Sequence, residues 1–362
     1  MAHRGFALMG NLASASLADG ISPTEQPNYV SAVFGGMNLT LRLLPLLCLN
    51  ILPGQEIGRS EALLPESVWA VGTSAGSLVG VPNVSISHVA KGQGALWFAA
   101  SPRGTSGQAL AIQTDLAGSV KDSFVLDAQH LFDLAADGSG RVALLYPAGS
   151  RGSDLAVRDP NQRVQVVPGS QDRFLRRVAF VDDTICGQTA DGVIGCIQDN
   201  SFSDVGVTSD GLSRYVILLG GAGPFLVLVD QEHGVARWLN RQSNTVRDIP
   251  LGGSDIDKAR RKVLSVNRRA AEQNRRYTEV CIAAADLDVE GALFVVLTGH
   301  PIAEGVPVIS YNAEGSVLQS FQLKMPTLSN GRIFGPEYLR VVDDHVVVGD
   351  GHGNIALYSI RK

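Results

Sequence analysis

The sequence predicts an all-β fold, a six-bladed β-propeller, and three observations carry that expectation. A four-strand unit recurs along residues 67–362, glycines punctuate its short apolar runs, and the last unit stops one strand short. A spare apolar strand, Val68-Trp69-Ala70-Val71-Gly72, precedes the first complete unit. Borrowing it for the last blade closes the ring and removes the open edges that invite aggregation.

The clearest unit starts at His130. A strand over 130–136 meets the turn Asp137-Gly138-Ser139-Gly140, and a second strand ends at Tyr146. Strands from Asp154 and Arg163 complete it. A second copy runs from Val280 through Asp286 and Gly291 to Phe321, and weaker copies begin near Ser85, Arg177, Tyr215 and Tyr338. Six starts across about 300 residues give roughly 50 per unit, the length of a propeller blade. Each strand is short and bounded by turn residues, and no helix–strand alternation points to a parallel α/β sheet.

Composition fits an ordinary globular core, with 45% hydrophobic and 18% charged residues, and 40 glycines supply the turns. A net charge of −5 argues against a global nucleic-acid binder, whose affinity comes from phosphate neutralisation.

The first 62 residues read differently. Residues 1–36 show no sustained periodicity and read as a disordered leader or a misassigned start. From Met37, Arg42 precedes an apolar run of about a dozen residues, the layout of a signal peptide and too short for a comfortable membrane span. Ser60-Glu61-Ala62 offers the small-x-small cleavage pattern. The expected organisation is therefore leader 1–36, signal peptide 37–62 and propeller 63–362, a periplasmic or secreted monomer with no transmembrane segment in the mature chain.

Cys186 and Cys196 flank the turn Ala190-Asp191-Gly192 symmetrically. A three-residue loop sets them opposite each other for a disulfide, which suits an oxidising compartment; a two-residue loop makes them diagonal, two thiols packed as small apolar groups. Cys281, in an apolar run, reads as core.

The turns Asp137-Gly138-Ser139-Gly140 and Asp286 to Gly291, each after an apolar first strand, resemble those of the NHL and TolB-like six-bladed propellers. Two units depart from the pattern, with Gly220-Gly221-Ala222-Gly223 in one and Asp182-Asp183 in another. The resemblance implies the fold. Its members include binding scaffolds, sugar-lactone hydrolases and lyases, so it implies no single activity.

Gly72-Thr73-Ser74-Ala75-Gly76 matches the nucleophile elbow of hydrolases, but Gly80 and Pro82 stand where the supporting helix would run, so it reads as a turn. One helical pattern covers 254–276, with Ser254 or Asp255 to cap it and Ala259, Val263, Val266 and Ala270 as its apolar stripe. It interrupts the repeat and should project from one rim. Lys258, Arg260, Arg261, Lys262, Arg268, Arg269, Arg275 and Arg276 make it a grip for an anionic partner, or a solvated face whose arginines pair locally.

Local spacing gives no zinc motif. His300 and His352 lie in expected connections, and His88, Asp133, Asp182 and Asp286 are the candidates for a funnel site assembled from several blades. Asp is equally common in turns, where it caps backbone. Two functions follow. One is an exported binding propeller for a protein or glycan. The other is a lactonase-type hydrolase or lyase whose divalent cation in the funnel polarises a carbonyl or activates water.

Overall fold

A computed structural model describes residues 61–71, 84–102, 108–148, 152–167, 174–198, 201–221, 223–275, 278–328, 331 and 334–360. The leader, nearly all of the signal segment, the Ser74 motif and Arg276 lie outside the described residues.

The described residues form a six-bladed β-propeller. The first blade is Val84–Gly92, Ala95–Pro102, Ala109–Thr114 and Val120–Leu126, and the second Asp133–Ala136, Val142–Ala148, Gly152–Arg158 and Val164–Val166. Leu175–Val181, Thr184–Thr189, Val193–Gln198 and Ser201–Thr208 make the third. The fourth holds Val216–Gly220, Phe225–Asp230, Val235–Asn240 and Thr245–Pro250. Ile282–Leu287, Leu293–Leu297, Val306–Tyr311 and Val317–Leu323 follow as the fifth. The sixth has Tyr338–Val342, His345–Gly349 and Asn354–Ser359 from its own unit.

The sixth blade takes its fourth strand from Ser67–Ala70, which pairs antiparallel with Asn354–Ser359, Ser67 opposite Leu357 and Ala70 opposite Asn354. This is the closure the sequence predicts. Trp69 of the borrowed strand packs edge-on against Phe98 of the first blade, and its indole N–H donates to Leu116 O at 3.2 Å. Gly118, at φ +83°, leaves room for that indole: a Cβ there would lie 2.6 Å from the ring. One pairing was not anticipated. Glu61–Leu63 adds in parallel to the outer strand of the fifth blade, Glu61 opposite Phe321.

The first strand of every blade neighbours the first strands of the two adjacent blades, so six inner strands ring one axis. Middle strands lie between sheets on both faces, which is why Leu293–Leu297 is buried throughout, and such strands read as continuous apolar runs. Outermost strands meet water: Val164–Val166 is exposed along its length. Turns recur on one design, a side-chain oxygen capping the amides two and four residues on. Asp137 accepts from Ser139 and Arg141, Asp288 from Glu290 and Ala292, Asn312 from Glu314 and Ser316, and Asp350 from His352 and Asn354. In the fifth blade the capping residue is therefore Asp288, and Asp286 belongs to the inner strand.

The ring has two ends. The hairpin end carries the turns between first and second strands; the connection end carries the links between blades and the turns between second and third strands. The helical insertion, α1 (Ser254–Glu272), lies in the link between the fourth and fifth blades, on the connection end. It packs down rather than projecting. Ile256, Ala259, Val263 and Ala270 are buried, and the first three join the core of the fourth and fifth blades beside Trp238, Leu251 and Tyr311. Val266 is half-buried. The N-cap is Gly253, with no side-chain cap from Ser254 or Asp255.

Candidate functional site

The four funnel candidates do not meet at one point. His88 and Asp133 meet on adjacent inner strands, Nε2 to Oδ1 3.8 Å, and Arg177 of the third blade points its Nη1 at His88 Nε2 from 3.4 Å. Asp133 Oδ2 accepts from the Val178 amide at 2.8 Å, which pins the second blade to the third. Asp286 does the same between the fifth and sixth blades, accepting from Val341 N at 2.8 Å. Its carboxylate also pairs at 2.9 Å with Lys91 of the first blade, whose ammonium donates to Leu287 O as well. Asp182 stands apart in a hairpin turn at φ +49°, accepting from Gly223 N at 2.8 Å.

Burial is the first cause holding His88 below the ordinary imidazole value. Arg177 and Arg340 lower it further and Asp133 opposes them. The neutral ring therefore accepts at Nε2 from Arg177, leaving Nδ1 buried without a partner. Among the described residues no three His, Cys, Asp or Glu side chains converge on a point that could hold a metal ion. His300 lies near Asp255, Lys258 and Lys262 of α1, held low mainly by burial, and His352 is part of the Asp350 turn.

At the hairpin end the axis opens into a cavity of about 570 Å³ lined from all six blades, with Lys91, Asp182, Asp286 and Arg340 among its polar groups. Most of this charge is internally matched. Lys91 meets Asp286, and Arg141 meets Asp137 at 2.6 Å and Asp183 at 3.2 Å.

The connection end is different. A second cavity, about 680 Å³, opens between the second, third and fourth blades. Its walls include Phe132, Phe174, Arg176, Arg177 and Arg214, none of which the sequence reading selected as site residues. The Phe132 and Phe174 rings meet edge-to-face at 5.6 Å, and the Arg176 guanidinium lies 5.9 Å from the Phe174 centroid. Arg214 stacks over Tyr215 at 4.9 Å and donates to Thr278 Oγ1 at 3.2 Å. None of the three arginines has a carboxylate partner among the described residues. Arg158 and Arg237, by contrast, are locked, Arg158 on Asp122 and Arg237 on Asp248, each at 2.6 Å. A signal existed in sequence, since Arg176-Arg177 is a charged pair inside an otherwise apolar inner strand.

On α1, Arg260 pairs with Asp257 at 3.1 Å and donates to Gly234 O and Leu251 O, so its role is local. Lys262 donates to Gly299 O at 2.8 Å. Lys258, Arg261, Arg268 and Arg269 are exposed, as is Arg275 just beyond the helix, with no carboxylate partner among the described residues. With about 100° per residue, Lys258, Arg261, Lys262, Arg268 and Arg269 share an arc of about 120° opposite the buried stripe.

The three-residue hairpin sets Cys186 opposite Cys196, and the two are joined as a disulfide in the buried core of the third blade. Cys281 is a buried thiol whose pKa burial pushes up to about 11.

The class of protein is thus defined: a closed six-bladed propeller whose connection end carries carboxylate-free cations in a cavity and on α1. No family model matches the chain, and no curated protein matches it in sequence. Solved propellers do. Virginiamycin B lyase from Staphylococcus aureus is 10% identical with a TM-score of 0.47, over 82% of this chain and 99% of that one. A streptogramin B lyase is 10% identical with a TM-score of 0.49, over 80% and 97%. The WD40 β-propeller domain of Doa1 is 11% identical with a TM-score of 0.45, over 76% and 79%. Likenesses at this level assign no activity.

Proposed function

We propose that this chain is a binding propeller whose connection end docks an anionic partner, a glycan or the acidic face of a protein. The observation that carries the reading is the set of exposed, carboxylate-free cations on α1: Lys258, Arg261, Arg268 and Arg269, continued by Arg275. The helix is anchored by its buried face, so these charges sit on a rigid support. The reading includes export through the segment 37–62, release of the leader, and a bridge from Cys186 to Cys196 that suits an oxidising compartment. Among the described residues no helix is long and apolar enough to cross a membrane. A cation-dependent hydrolase would draw on His88, Asp133, Asp182 and Asp286, but these are spread over separate pairings and no observation favours it.

Retention of the full chain on an immobilised polyanion, eluted by a salt gradient, tests the reading. The wild type should be retained at low salt and the variant Lys258→Glu/Arg261→Glu/Arg268→Glu/Arg269→Glu should flow through. Equal retention of the two proteins would remove α1 as the docking element.

A further inference from the structure

The cavity at the connection end combines three features. It is concave, it presents aromatic surface, and it holds guanidiniums against acceptors. We infer that it is a saccharide site selective for a sugar unit carrying an acidic group, a uronate or a sulfated sugar. The inference rests on the proposed reading only for the end of the ring it uses.

Arg176, Arg177 and Arg214 face one cavity of about 680 Å³, a volume that suits one or two sugar rings. Arg177 is held by His88 Nε2 at 3.4 Å and by Arg176 O at 3.5 Å, and Arg214 by Thr278 and the Tyr215 ring. Guanidiniums held this way lose little freedom on gripping a planar carboxylate or a sulfate with two parallel hydrogen bonds. Phe174, 36% exposed, offers its ring to the cavity beside Phe132, the surface that covers the C–H face of a pyranose.

The same walls hold two carboxylates, Asp191 and Asp210. Asp191 already accepts from Thr189 Oγ1, and the Asp210 backbone carbonyl accepts from Arg237 at 3.0 Å. A bare inorganic anion gains nothing from the aromatics and is repelled by these carboxylates. A sugar acid uses all three elements: its charged group meets guanidinium, its hydroxyls donate to carboxylate, and its ring covers Phe174. The match is chemical rather than merely electrostatic.

The test is calorimetric titration of the full chain with a glucuronate-containing disaccharide and with its neutral glucose counterpart. The acidic disaccharide should bind at least about tenfold more tightly, a difference of about 1.4 kcal/mol. Arg176→Ala/Arg214→Ala, which leaves only Arg177, should cut that preference by at least about threefold, and Phe174→Ala should weaken both sugars. All three side chains are exposed, and an unchanged melting temperature verifies folding; Arg176→Gln/Arg214→Gln repeats the test with closer isosteres. Equal affinity for the two sugars, no binding of either, or an unaltered preference in both arginine variants would overturn the inference. The α1 charge-reversal protein separates the two readings. If it still binds the acidic disaccharide while losing polyanion retention, both stand. If wild type is retained on polyanion yet ignores the disaccharide, the pocket falls and the helix reading survives.

Discussion

The cavities at the two ends of the ring use charge differently, one with paired lysine and arginine beside a lone Arg340, the other with arginines that no carboxylate pairs among the described residues. At the hairpin end, Lys91 crosses to Asp286 and Arg141 clamps Asp137, so ions hold blades and turns in place. At the connection end, Arg176, Arg177, Arg214 and the outer face of α1 keep their guanidiniums and ammonium groups clear of carboxylates. Burying a charge is costly unless it is matched, so the matched end reads as architecture. Exposed unmatched charge adds little to stability, and where it lines a cavity or one helix face it is available for recognition.

The comparison breaks first at Asp286. Replacing it with Ala strands the Lys91 ammonium and the Val341 amide, and should cost about 3–5 kcal/mol in denaturant unfolding. A loss under about 1 kcal/mol would mean that the hairpin end is not held by its ions. Next comes the third blade. Cys186→Ala/Cys196→Ala should cost about 2–3 kcal/mol, from the short loop the bridge closes. Peptide mapping without reductant should recover the linked pair, and two free thiols would sink the bridge.

His88 sharpens the comparison because it sits between the two kinds of charge. Burial, aided by Arg177 and Arg340, lowers its folded pKa below the ordinary 6.5. As pH falls through that value the unfolded chain takes the proton first and the native state is penalised. Its contribution is therefore intact above the unfolded pKa and erodes below it. Melting temperature should drop between about pH 7.5 and about pH 5, and drop less in His88→Asn. His300, lowered in the same sense, keeps part of the slope. An identical slope in the variant would show that His88 does not carry this linkage. The smallest effect belongs to the unmatched end: Arg176→Ala and Arg214→Ala should each shift stability by no more than about 0.5 kcal/mol. A loss near that of Asp286→Ala would make them architectural too.

Much of the fold was legible because its determinants are local. The repeat, the apolar stripe of α1 and the opposition of Cys186 and Cys196 follow from turn residues and periodicity. Closure by residues 67–70 was legible because the final unit visibly lacks a strand. What escaped the sequence depends on how one blade approaches the next. Asp133 and Asp286 read as funnel candidates; that each also accepts from a neighbouring blade's amide depends on a distance that only the assembled ring fixes. The connection-end cavity takes Phe132, Phe174 and Arg214 from separate links, so no spacing rule unites them. The parallel strand Glu61–Leu63 straddles the boundary read at 62/63 between signal segment and propeller.

The seam at Ser67–Ala70 has a temporal side. On a ribosome this strand emerges before any blade, yet its partner, Asn354–Ser359, emerges after five complete ones. The ring therefore cannot close during translation of the first five blades, and a nascent propeller carries an open edge for most of its synthesis. Contacts so distant in sequence are costly in chain entropy to form, so closing this seam comes late. Trp69, which locks the seam to the first blade, is then the side chain whose loss should show most clearly in refolding yield rather than in ligand affinity.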